Sequence, residues 1–276
     1  MSRNLCQLAF AAGLAAAGVA VSDGNAASNA WKDPAQVRLI DGGMLEDGAT
    51  RLAGLEVLLD PGWKTYWRNP GDSGIPPQID FAGSENVADV AIEWPAPELS
   101  WDGYAWVIGY TEAVVFPLRV TMRDPATPAE LKLRLTYGVC KDICIPAEAD
   151  AEIVLDGSSA RPSAIEMYRD RVPSLIDAAG ENGGVVSAAV NRDGDVPILE
   201  LHVSLPGAPE DGFAVVEGPP GWYLPVPERT GADAAGATVY TVPLDGATDP
   251  DDLSGAELRV TGISPAFSFE QLVTLD

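Results

Sequence analysis

The sequence predicts an all-β protein made of two antiparallel β-sandwiches joined by a short helical linker. Short apolar runs alternate with polar residues at the two-residue period of a strand. Turn residues punctuate them densely, with 28 Gly and 23 Pro in 276 residues. No long segment carries amphipathic helical spacing, and many short strands with Pro/Gly turns make a sandwich.

The organisation follows in order along the chain. Residues 1–30 read as a secretory signal peptide: Arg3 supplies the charge, Leu5 to Val21 is apolar and rich in Ala and Gly, and cleavage after Ala27 or Ala30 fits the small residues there. Residues 31–158 form the first β domain. Arg51–Leu59, Ala113–Val120, Leu131–Tyr137 and Ala149–Leu155 read as strands, and Asn69-Pro70-Gly71-Asp72-Ser73-Gly74 as a turn. Residues 159–184 read as a linker. Ser163 and Glu166 fit a capping box for a short helix running to about Arg171, before Pro173. Residues 185–276 form a second, smaller sandwich, with Asp193-Gly194 as a hairpin turn before the alternating run Ile198–Val203.

Composition excludes several classes. Lys+Arg is 17 and Asp+Glu 41, a net charge of −24. Such a polyanion repels phosphate backbones, so no nucleic-acid partner is expected, and the charge reads as a solvated surface. The single His leaves no multi-histidine metal site. His202 lies in an alternating strand and reads as structural.

Of three cysteines, Cys6 falls in the signal peptide, leaving Cys140 and Cys144. Four residues of extended strand span about 13 Å, whereas a disulfide needs Cα atoms about 4.4–6.8 Å apart. The pair is therefore expected to face across a β-hairpin with Lys141-Asp142-Ile143 as its loop. Three readings stay open: a structural disulfide, worth about 2 kcal/mol for so short a loop; a redox-active pair; and a thiolate site for Cu(I), with Met122 and Met167 as candidate thioethers.

The stretch Trp63-Lys64-Thr65-Tyr66-Trp67-Arg68-Asn69-Pro70-Gly71-Asp72-Ser73-Gly74, followed by Tyr137-Gly138-Val139-Cys140-Lys141-Asp142-Ile143-Cys144-Ile145-Pro146, resembles the N-terminal periplasmic domain of DsbD-type thiol:disulfide interchange proteins, and within them the ScsB-like copper-sensitivity branch. The resemblance covers residues 31–158. It implies an immunoglobulin-like fold and a redox-active pair, with Cys144 attacking partners, Cys140 resolving the mixed disulfide, and no cofactor. It also implies a periplasmic location, a thioredoxin-like electron donor and disulfide-containing clients. Full-length family members carry a membrane domain and a thioredoxin-like domain. Neither occurs before Asp276, so a separate membrane-embedded reductase is expected. The aromatic motif has two readings, a packed core with a pinned turn, or a cap or docking surface beside the cysteines. Neighbours in a strand point to opposite faces, so one of Tyr66 and Trp67 is expected at the surface.

Overall fold

The computed structural model describes residues 33–207, 209–247 and 253–275; the expected signal peptide lies outside them. Ten strands build the first sandwich: β1 (Ala35–Met44), β2 (Thr50–Leu59), β3 (Lys64–Gly71), β4 (Gln78–Asp80), β5 (Val87–Ile92), β6 (Glu98–Trp101), β7 (Trp106–Thr111), β8 (Ala113–Met122), β9 (Ala129–Cys140) and β10 (Cys144–Leu155). One sheet runs β1-β2-β8-β5. The other runs β10-β9-β3-β7-β6, with β4 also on β9.

Alternation decides which side chains enter the core. In β9, Leu131, Leu133, Leu135, Tyr137 and Val139 point inward, and the residues between them face outward. In β10 the odd-numbered Ile145 to Ile153 pack on that core, while the even-numbered residues are exposed until Leu155. β2 is buried on both faces. Leu55 and Val57 face the core, and Leu52 faces outward into a cluster with Ile40, Val115 and Ile165.

Ile165 belongs to α1 (Pro162–Arg169), the expected helix. It starts two residues earlier than the capping box requires, because Pro162 takes the first helical position with its fixed φ. Ser163 then lies inside the first turn, and the N-cap residue Arg161 makes no side-chain cap bond. The linker is tied down at the buried carboxylate of Asp41, which accepts from the amides of Gly43 and Gly157, both at 2.8 Å.

The second sandwich contains β11 (Ser174–Ile176), β12 (Gly184–Asn191), β13 (Ile198–Ser204), β14 (Phe213–Glu217), β15 (Glu228–Ala232), β16 (Thr238–Pro243), β17 (Glu257–Ile263) and β18 (Ser268–Thr274). Its sheets run β11-β18-β17-β14 and β12-β13-β16-β15. Among the described strands only the three-residue pair β11–β18 is parallel. The hairpin at Asp193-Gly194 forms, but between Asn191 and Ile198, so its loop is longer than the two-residue turn expected.

The two sandwiches make one compact unit. Val215 and Ile263 of the second belong to the core of the first, and the Ala96 amide donates to the Arg171 carbonyl at 2.7 Å. Among the described residues no helix is long and apolar enough to cross a membrane.

Candidate active site

The hairpin expected around the cysteines is present. β10 pairs with β9 in register, Cys144 opposite Cys140 and Ile145 opposite Val139. The Lys141-Asp142-Ile143 loop closes with a bond from the Lys141 amide to the Ile143 carbonyl. The two cysteines form a disulfide with Cα atoms 4.2 Å apart. Both occupy even positions, so the bond lies on the outer face of its sheet, at one end. The two residues are not equivalent. Cys140 is 3% exposed, and Cys144 is exposed.

β3 supplies the group beneath the disulfide. It pairs with β9 so that Lys64 faces Cys140 and Thr65 faces Val139, and Thr65 Oγ1 donates to the Gly138 carbonyl at 2.9 Å. Tyr66 then points to the outer face and Trp67 to the core. The Tyr66 hydroxyl is 2.5 Å from Cys140 Sγ and 3.0 Å from Cys144 Sγ. Burial, and then the negative charge of Asp102, push this phenol from 10.0 up to about 12. It is a neutral O–H donor throughout the physiological range.

Two glycines make room for the ring. A Cβ at Gly138 would fall 2.8 Å from both Ile75 Cβ and Tyr66 Cε2. A Cβ at Gly74, whose φ is +146°, would fall 2.5 Å from Tyr66 Cε1. Tyr66, Cys140 and Val107 form a small buried cluster with Ile75 packed against it. The Lys141 ammonium donates to the Pro61 carbonyl at 3.3 Å, which holds it over the β2–β3 turn.

Tyr66 and Trp67 do lie on opposite faces, but neither is at the surface; they are 1% and 0% exposed. The outer face at Tyr66 is covered by its own loop, Asp72 to Ile75, which strand alternation does not foresee. Trp67 packs in the core under the Arg68 guanidinium, 4.2 Å from its ring centroid, and offers no docking surface. Exposed aromatics of the first sandwich lie elsewhere, at the β6–β7 turn, where Trp101, Tyr104 and Trp106 are 56%, 91% and 42% exposed. The run Trp101-Asp102-Gly103-Tyr104-Ala105-Trp106, a turn flanked by aromatics, was the sequence signal for them.

The thioethers suggested for copper do not approach the cysteines. Met122 lies in the core, and Met167 is exposed on α1, which covers the opposite sheet. Among the described residues no group of three or more His, Cys, Asp or Glu is placed to hold a metal ion.

The disulfide thus sits on a hairpin at the outer face of a β-sandwich, with one cysteine buried and one exposed. Residues 38–156 match the family model for the N-terminal domain of the thiol:disulfide interchange protein DsbD. The fold is similar to the crystal structure of the N-terminal periplasmic domain of ScsB from Proteus mirabilis. The TM-score is 0.63 and the identity 24%, over 88% of this chain and 94% of that one. No curated protein sequence matches the chain.

Proposed function

We propose that the Cys140–Cys144 pair relays electrons in the periplasm, from a thioredoxin-like donor fed by a separate membrane-embedded reductase to disulfide-containing clients. Residues 1–30 direct export, 31–158 form the exchange domain, 159–184 the linker, whose β11 joins a sheet of the second sandwich, and 185–276 the rest of that sandwich. The periplasmic setting of the structurally similar ScsB domain supports the location.

The observation that carries this reading is the asymmetry of the disulfide over Tyr66. A donor thiolate reaches the exposed Cys144 sulfur. Its attack forms a mixed disulfide to Cys144 and breaks the Cys140–Cys144 bond, whose electron pair leaves on Cys140 as a thiolate. The Tyr66 hydroxyl, 2.5 Å from Cys140 Sγ, stabilises that charge. The donor's second thiolate then attacks its own half of the mixed disulfide and frees Cys144. Two electrons have passed to the pair, and the donor is left oxidised. In the forward step the Cys144 thiolate attacks a client disulfide, and Cys140 resolves the intermediate.

The test is to trap mixed disulfides with each single variant. Cys140→Ser should accumulate partners on Cys144, and Cys144→Ser should accumulate few. A reduction potential below about −300 mV with no trapped partner identifies an inert structural bond and overturns the reading.

A further inference from the structure

We infer that the second sandwich sets the redox equilibrium of the disulfide, acting through Asp72 as a positioning residue for Tyr66. Its effect on turnover rests on the exchange reading above; its effect on the equilibrium does not.

The Tyr66 hydroxyl contacts both sulfurs, but carbon contacts hold its ring: Gly138, with Ile75 beside it, at the Cε2 edge, and Gly74 at the Cε1 edge. The ring therefore stays where the loop after β3 stays. The second sandwich grips β3 at one point and that loop at another. The first is Arg68, whose Nε and Nη2 donate to the Glu217 carboxylate at 2.8–3.1 Å and whose Nη2 also meets Glu270 at 2.5 Å. The second is Asp72, two residues before Gly74. Its carboxylate accepts from the Val226 amide at 2.8 Å, and its carbonyl accepts from the Tyr223 hydroxyl at 2.7 Å. On its other side Asp72 bonds the β6–β7 turn: its amide donates to the Trp106 carbonyl at 2.9 Å, and the Trp106 amide donates back to Oδ2 at 3.4 Å.

Asp72 touches neither sulfur. It joins the second sandwich, the aromatic turn and the cover over Tyr66 at one residue. Gly71, beside it, lets the loop pass close enough, since a Cβ there would fall 2.5 Å from the Trp106 carbonyl oxygen. Releasing Asp72 frees Gly74 and Ile75, the ring moves, and the reduced state loses its donor at Cys140.

The test measures the thiol–disulfide equilibrium of the full chain against glutathione and dithiothreitol. Asp72→Ala should shift the equilibrium toward the disulfide by about threefold to tenfold, the range of one hydrogen bond. Asp72→Asn keeps the acceptor for the Val226 amide and should restore most of the loss. In a Tyr66→Phe background, Asp72→Ala should change nothing further. If Asp72→Ala does not fold, Tyr223→Phe, which removes only an exposed residue's hydroxyl, should give the same shift to a smaller degree. An unchanged equilibrium in folded Asp72→Ala, or an equal shift in the Tyr66→Phe background, overturns the inference. Because dithiothreitol reads the equilibrium directly, failure to trap biological partners overturns the relay alone.

Discussion

The Tyr66 hydroxyl touches both halves of the Cys140–Cys144 disulfide, at 2.5 Å and 3.0 Å. A disulfide sulfur is a weak acceptor and a thiolate a strong one, so the same contact favours the reduced state. Tyr66→Phe should therefore make the pair harder to reduce. A hydrogen bond to a charged group contributes about 1.5 kcal/mol or more, which for two electrons corresponds to a potential about 30 mV more negative. Redox titration with glutathione reads it, and a potential equal to wild type removes Tyr66 from the chemistry. With the phenol pushed up to about 12, it stays a neutral O–H donor from pH 6 to 9.

Gly138 lies where the ring crosses β9. Gly138→Ala puts a methyl within 2.8 Å of Ile75 and Tyr66, so one of them has to move. Overpacking of this kind costs about 1–3 kcal/mol. Urea unfolding should show a lowered midpoint, and the potential should shift in the direction of Tyr66→Phe. Loss of stability with an unchanged potential would mean that Ile75 yields instead of the ring.

Arg68 joins the sandwiches by charge. Its side chain is 18% exposed. Burial alone would lower its pKa, but the hydrogen bonds and charges of Glu217 and Glu270 outweigh burial and raise it. Removing Arg68 leaves a partly desolvated carboxylate without its partner, at a cost of up to about 3 kcal/mol. Arg259 still reaches Glu270 at 2.5 Å, which leaves Glu217 as the exposed loss. Arg68→Ala should lower the denaturant midpoint and separate the melting of the two sandwiches. A single unshifted transition would show that apolar contacts at Val215 and Ile263 suffice.

The sequence was readable where structure is local. β9 shows its strand period directly, and the Cys140–Cys144 spacing, with a strand before it and Pro146 after it, points to a hairpin. The faces of Tyr66 and Trp67 were legible as opposite, but what covers each face was not. Tyr66 is covered by its own loop, Asp72 to Ile75, but partners distant in sequence hold that loop: Tyr223 and Val226 lie 151 and 154 residues after Asp72. The capping box at Ser163 failed because Pro162 competes for the helix start. β4, β5 and β6 are short or irregular and lack a period to read. The grip of the second sandwich on β3 and the loop after it leaves no local trace, because Arg68 and Asp72 look like ordinary surface and turn residues in the sequence.

The last prediction concerns the single histidine, which makes its titration readable as one resonance. His202 Nδ1 lies 2.8 Å from Asp233 Oδ2, and Nε2 lies 3.1 Å from Glu200 Oε1. With a carboxylate at each nitrogen, only the imidazolium donates to both. The Asp233 bond first, and the Glu200 bond second, raise the His202 pKa above its ordinary 6.5. The same bond with His202, and then the Ala237 amide, lower Asp233 below 3.8. The signs give a window. A raised histidine stabilises the fold fully below pH 6.5, and that stabilisation disappears as pH rises through its folded value. A lowered aspartate stabilises above pH 3.8, and its contribution disappears as pH falls through its folded value. The pair should therefore support the second sandwich between these limits and weaken toward alkaline pH. The effect is moderated by solvent, since both side chains are about one-quarter exposed. Proton NMR of the His202 ring should give a midpoint above 6.5 that falls in Asp233→Asn. His202→Gln should flatten the difference in melting temperature between pH 5.5 and pH 8.5. A midpoint at or below 6.5, or a pH dependence that His202→Gln leaves intact, would assign the alkaline loss to the general repulsion of a chain of charge −24 instead.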